Sequence, residues 1–139
     1  MSIRAGTNSN PPVTVTPYGA SRGRFTAQLQ PNGAIVVAAF GDLDATNADC
    51  FVDYALSHLD EQRPLVVDLR GLNFCGGEGF LAILKIRYHC RHHDVDWTLL
   101  PGEAIHRILE IGDPYCWLPT ASSVADALDT SAMVASDTG

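Results

Sequence analysis

The chain has 139 residues, a formal net charge of -7 and 46% hydrophobic residues. That length supports one domain with a real core, not comfortably two. The acidic balance repels phosphate backbones and anionic headgroups, which argues against nucleic acid or a membrane surface as partner and favours a protein of basic character.

The longest apolar run, Ala34 to Phe40, is too short to cross a bilayer. Met1 to Arg24 carries no apolar core of a secretory signal, so a cytoplasmic location is expected. The four cysteines, Cys50, Cys75, Cys90 and Cys116, form no CxxC pair and are expected as reduced thiols.

Residues 1–22 are rich in Gly, Asn, Ser, Thr and Pro, a composition that buries too little surface to offset its ordering entropy. They are predicted as a flexible tail, with Val13, Val15 and Tyr18 reaching a little way onto the domain. Residues 131–139 are predicted as a second tail, which leaves 23–130 as the domain. Phe25 to Gln30 alternates as a strand. Pro31-Asn32-Gly33 signals a turn, and Ala34 to Phe40 reads as a strand covered on both faces. Together they predict an antiparallel hairpin.

A helix follows. Thr46 and Asp49 have capping-box spacing, and Ala48, Phe51, Val52, Ala55 and Leu59 recur on one face. Leu65 to Leu69 predicts a second buried strand, followed by Phe74, expected in the core, and the glycine-rich turn Cys75 to Gly79. A long helix, about Glu78 to His92, presents Phe80, Leu81, Ile83, Leu84 and Tyr88 as its apolar residues. Asp96 to Leu100 is a third core strand. A helix from Glu103 to Ile111 is expected to stop at Gly112 as a C-terminal cap. Trp117 to Pro119 suits a short edge strand. Ser123 and Asp126 are placed to cap a last helix ending near Leu128 or Asp129. Strands alternating with helices imply parallel pairing through right-handed crossovers. The expected fold is α/β: one mixed sheet, opened by an antiparallel hairpin and continued by parallel βα units, packed with about four helices.

The order of elements and several short stretches resemble the STAS domain, the fold of anti-sigma factor antagonists. Phe40-Gly-Asp-Leu-Asp-Ala-Thr46 resembles that family's Gly-Glu-Leu-Asp segment. Val66-Val-Asp-Leu-Arg-Gly-Leu-Asn-Phe74 resembles its buried strand and following turn. Ile108-Leu-Glu-Ile-Gly112 and Ser123-Val-Ala-Asp-Ala-Leu128 resemble its last two helices. The resemblance spans roughly residues 25–128. It implies a non-enzymatic protein without cofactor. Such a protein binds an anti-sigma factor, itself of kinase fold, and releases a sigma factor. It also implies a partner surface comprising Asp42, Asp44, Thr46, Cys75, Gly76, Gly77, Glu78 and Gly79.

One departure matters. The family's usual Asp-Ser-Ser-Gly or Asp-Ser-Thr-Gly reads Gly76-Gly77-Glu78-Gly79 here. The serine that the partner kinase phosphorylates falls on Gly77, which has no hydroxyl. Glu78 has two readings: a carboxylate favoured at a helix N-terminus, or a permanent mimic of the phosphorylated residue.

Other readings compete. Gly77-Glu-Gly79-Phe-Leu-Ala82 formally fits G-x-G-x-x-A, with Asp96 near the place of a ribose-binding acid. That would suggest a nucleotide binder or enzyme, but Glu78 would repel a pyrophosphate, and a tight strand-to-helix turn accounts for the same residues. His89, Cys90, His92 and His93 cluster at a helix end without an obvious third metal ligand. Cys75 is either a thiolate stabilised by a helix N-terminus, available for redox control with Cys50 or else Cys116, or a small buried hydrophobe. A binding module in a transporter-associated or stress-sensing complex is the remaining alternative.

Overall fold

The structure, a computed structural model, describes residues 13–15 and 23–128. Its elements are β1 (Val13–Val15), β2 (Gly23–Leu29), β3 (Ile35–Leu43), α1 (Ala48–Leu56), β4 (Leu65–Cys75), α2 (Gly77–His92), β5 (Trp97–Leu100) and α3 (His106–Gly112). Residues 124–128 are helical as well. Most of the two predicted tails, Tyr18 and the helix end at Asp129 lie outside the described residues. Val13–Val15, inside the predicted first tail, pairs antiparallel with β2.

The strands lie in sequence order in one five-stranded sheet. β2 and β3 form the expected antiparallel hairpin, and β3, β4 and β5 run parallel. The hairpin turn uses Gly33 at φ 97°, with the Asn32 Oδ1 accepting from Ala34 N at 3.1 Å. One face of the sheet carries Phe25, Val37, Leu65, Val67 and Leu99 against Phe51 of α1 and Ile83 and Ile86 of α2. The other face is smaller: Val36, Val66 and Leu100 meet Ala127 of the closing helix. The two crossover helices, α1 and α2, join parallel strands in sequential order and pack into the same core.

β4 is far longer than predicted. Its pairing with β3 shifts register between Ala38 and Phe40 and again between Gly41 and Asp42. Gly41 takes φ 83° there, a backbone that L side chains rarely adopt. The irregularity breaks the two-residue period of burial, so Leu72 and Cys75 both point inward. Phe74, predicted as core, is therefore turned out and is 53% exposed.

α2 buries a different stripe from the one its large apolar residues suggest. Gly79, Ala82, Ile83, Ile86 and Cys90 face the core, while Leu81, Leu84 and Tyr88 are exposed. The cause is closeness. A Cβ at Gly79 would overlap the Cys75 Sγ and stand 3.2 Å from a Leu43 methyl, so the face that carries Gly79 turns to the sheet. Gly112 is also corrected: it is the last residue of α3 and not a left-handed cap. A Cβ there would stand 2.6 Å from the Phe80 ring, so its role is packing against α2. The cap at Ser123 forms as expected, its Oγ accepting from Asp126 N at 3.1 Å. Beside β5, Leu99 and Thr120 form a parallel bridge, adjoining the predicted edge segment.

Candidate functional site

Two segments meet at the C-terminal end of β3 and β4. Leu43, fully buried, ends β3, and its carbonyl accepts from Gly76 N at 2.9 Å. That bond ties the β3–α1 loop to the β4–α2 junction. It brings the predicted residues of the Gly-Asp-Leu-Asp stretch and of the glycine turn to one end of the sheet.

The β3–α1 loop is built on side-chain hydrogen bonds. The Asp44 carboxylate accepts from Thr46 N at 2.9 Å and from Thr46 Oγ1 at 2.5 Å. Asn47, 1% exposed, accepts from Asp44 N at 3.0 Å through Oδ1 and donates to the Asp42 carbonyl at 2.9 Å through Nδ2. The predicted capping box is absent. Asn47, not Thr46, is the N-cap residue, and it makes no side-chain bond to the helix because its amide is turned back onto the loop. Asp49 instead pairs with Lys85 of α2 at 3.0 Å, an exposed contact. Asn47 is the residue that motif spacing missed. Its signal was an Asn directly before the apolar periodicity, itself a good cap type.

The β4–α2 junction is a single residue. Gly76, in an extended conformation (φ -83°, ψ 179°), separates the last strand residue, Cys75, from the first helical residue, Gly77. Gly77 is exposed, its φ lies outside the left-handed region, and a Cβ built there meets nothing within 4 Å. Glu78 is exposed in the first turn of α2, and its Oε1 reaches back to within 3.2 Å of where a Gly76 Cβ would stand. A carboxylate over a helix N-terminus suits the macrodipole. It also occupies the place where a pyrophosphate would sit in the dinucleotide reading.

Of the two readings of Cys75, its burial favours the small hydrophobe. It is buried, and burial pushes its thiol up to about 11. Loss of hydration outweighs proximity to the helix N-terminus, so the group is a small neutral hydrophobe. All four cysteines are free thiols, with Cys50 half-buried and Cys116 exposed. Gly79 is buried too, so Cys75 and Gly79 shape the junction from inside while Gly77 and Glu78 face outward.

At the other end of α2, His89 and His93 share a face with rings stacked at 6.4 Å. Cys90 turns into the core, where burial raises its thiol to about 12. Among the described residues no group of three His, Cys, Asp or Glu side chains could hold a metal ion. No helix among them is long and apolar enough to cross a membrane.

The strand order, the glycine junction and the Gly-Asp-Leu-Asp loop define a STAS domain. The chain belongs to that family, whose model matches residues 27–127. It is 30% identical over 122 residues to a protein of Mycobacterium tuberculosis named as a proposed anti-anti-sigma factor, covering 84% of this chain and 82% of the relative. It is 28% identical over 123 residues to Osmosensory protein A of the same organism, covering 84% and 78%. The fold matches the crystal structure of an anti-sigma factor antagonist from Mycobacterium paratuberculosis with a TM-score of 0.67 at 20% identity, covering 78% of this chain and 92% of that one. A Thermotoga maritima structure described as a proposed antagonist of the same kind matches with a TM-score of 0.62 at 14% identity, over 76% and 92%.

Proposed function

We propose that this chain is a cytoplasmic, non-enzymatic anti-sigma factor antagonist that binds a kinase-fold anti-sigma factor and frees a sigma factor for transcription. The observation that carries the reading is the meeting of Asp44 and Thr46 with Gly77 and Glu78 through the Leu43–Gly76 bond, at an exposed edge with Phe74 beside it. The names of the relatives point the same way. Asp42, Asp44, Thr46, Gly76, Gly77 and Glu78 form the partner surface, and Cys75 and Gly79 hold its shape. The test is purification of the tagged chain with its bound proteins from the native cell, identified by mass spectrometry. An anti-sigma factor should be recovered, and Asp44→Lys should lose it while the domain stays folded. An anti-sigma factor bound equally well by Asp44→Lys would show that the surface is misplaced.

The same surface lacks the family's switch. Residues 74–79 contain no Ser, Thr or Tyr, and the next hydroxyl along α2 is Tyr88. Incubation with ATP and the cognate anti-sigma kinase should leave the wild-type turn unmodified, as read by mass spectrometry. Gly77→Ser should accept phosphate, because both the backbone and the space permit it. Stoichiometric phosphate on Ser122 or Ser123, coupled to loss of binding, would mean that the switch has moved. Redox control through Cys75, with Cys50 or Cys116 as the disulfide partner, is disfavoured because a buried neutral thiol reacts slowly. Partner affinity should be equal under reducing and oxidising conditions.

A second reading is supported by the likeness to Osmosensory protein A: the same surface serving a stress-sensing complex. The identity of the recovered protein separates the two.

A further inference from the structure

The last turn of α3 and the loop after it hold large apolar groups out into water in an ordered way. Ile111 is 77% exposed, and Tyr115 and Trp117 are 76% exposed, with their rings 6.0 Å apart. Isolated exposed apolar residues need no explanation, but three within seven positions form a patch. The loop beneath them is fixed. The Asp113 carboxylate accepts from Trp117 N at 2.9 Å and Leu118 N at 3.0 Å, and its carbonyl accepts from Cys116 N at 3.0 Å. Cys116 sits at φ 57°, a left-handed conformation that costs a non-glycine residue on the order of 1 kcal/mol or more. A backbone so constrained keeps Tyr115 and Trp117 outward rather than folding them onto the domain.

Beside this aromatic ridge runs a groove of about 350 Å³ walled by Pro101, Leu109, Pro114 and Leu118. None of its lining residues belongs to the glycine junction, α1 or α2. A ridge next to a groove on one surface allows a two-fold contact in which each copy's ridge enters the other's groove. Arg107 and Glu110 are both exposed on α3, and His106 Nε2 lies 3.4 Å from the Glu110 carboxylate. The groove itself is lined by the carboxylates of Glu110 and Asp113 and by no Lys or Arg, so a two-fold contact would have to set Arg107 of each copy against a carboxylate of the other. Three side chains of this size at this exposure present roughly 400 Å² of apolar surface per copy, and with the groove walls a dimer would bury about 1,000–1,200 Å² in total, the low end for specific interfaces.

We propose that Ile111, Tyr115 and Trp117, with the adjoining groove, form an isologous homodimer interface. The inference does not rest on the anti-sigma reading, since it concerns the purified chain by itself. Sedimentation velocity, run in reducing buffer from about 1 µM to 1 mM, should show the mass rising from 14.9 kDa toward twice that value. Trp97 is 9% exposed and Trp117 76%, so a blue shift of tryptophan emission on concentration would report Trp117 entering the groove. Trp117→Ala should weaken dimerisation by at least about tenfold with the circular dichroism spectrum unchanged. Tyr88→Ser, on the exposed side of α2, should leave it intact. A wild type that stays monomeric up to about 1 mM overturns the proposal. So does a dimer that survives Trp117→Ala and is broken by Tyr88→Ser, because the contact would then lie on α2.

Discussion

The β3–α1 loop and the β4–α2 junction end at the same place, joined through the Leu43 carbonyl, yet opposite means hold them. The loop is held by polar side chains: Asn47 and Asp44 satisfy backbone groups that no helix or strand reaches. The junction is held by missing side chains. Gly76, in an extended conformation that any residue adopts, passes the chain from strand to helix, and Gly79 lets α2 close onto Cys75 and Leu43. A polar anchor fails when its hydrogen-bonding groups are removed, and a close approach fails when atoms are added. The two halves of one surface should therefore respond to opposite kinds of mutation.

The largest effect is expected at the junction. Gly79→Val should destabilise the fold by about 3 kcal/mol, because the added atoms meet Cys75 and Leu43 inside the sheet–helix seam. Gly79→Ala should cost less, since the gain in helix propensity offsets part of the clash. Urea midpoints measure both. A neutral Gly79→Val would break the comparison. On the loop side, Asn47→Ala should cost about 1 kcal/mol, because the part-buried Asp44 N–H and Asp42 carbonyl each lose the bond to Asn47. Asn47→Asp should recover the first of these bonds but not the second, which sharpens the claim that both count.

The thiol of the junction gives a test by pH. Burial raises Cys75 to about 11 and Cys90 to about 12, from an ordinary value of 9.0. The unfolded chain releases these protons first, so stability is fully present below pH 9 and falls above it. Each thiol contributes a loss of about 1.4 kcal/mol per pH unit until its folded value is reached. Burial raises Tyr54 as well, adding loss in the same direction at the alkaline end. Urea denaturation at pH 8, 9 and 10 should show the decline, and a Cys75→Ala, Cys90→Ala variant should flatten it. The smallest effect is expected at Gly77→Ser. With open space around it and an ordinary φ, the change should stay within about 0.5 kcal/mol. A large loss there would mean that the junction depends on glycine at every position rather than at those that touch something.

Much of the fold was legible in the sequence because its signals are local. The alternation of β2, the Asn32-Gly33 turn, the apolar face of α1 and the cap at Ser123 each depend on a few neighbouring residues, and each appears as expected except at Leu29, which is exposed, and Leu59, which lies beyond the end of α1. The site was legible in part. The Gly-Asp-Leu-Asp loop and the glycine turn could be placed at one end of the sheet, and the absence of a hydroxyl at Gly77 is a plain fact of sequence. Thr46 was misassigned as a cap because Thr46 and Asn47 are both good cap types in adjacent positions. Only the path of the loop shows that Asn47 is buried and bonded inward.

By itself, the sequence determined the α/β order, the acidic character, the family and the absence of any hydroxyl from residues 74–79, since these follow from residue identity and short-range period. Tertiary structure decided which side of each element faces the core. The register shifts in β3 and β4 turned Phe74 out and Cys75 in, and no count along β4 contains them because they arise from pairing with another strand. The nearness of α2 to the sheet selected Gly79, Ala82 and Cys90 as its inner face and left Leu81, Leu84 and Tyr88 in water. Hydrophobicity favours burial of the larger side chains, but the space between two packed elements is set by both of them: beside Gly79 it admits no side chain, while Ile83 and Ile86 fill it elsewhere on the same face.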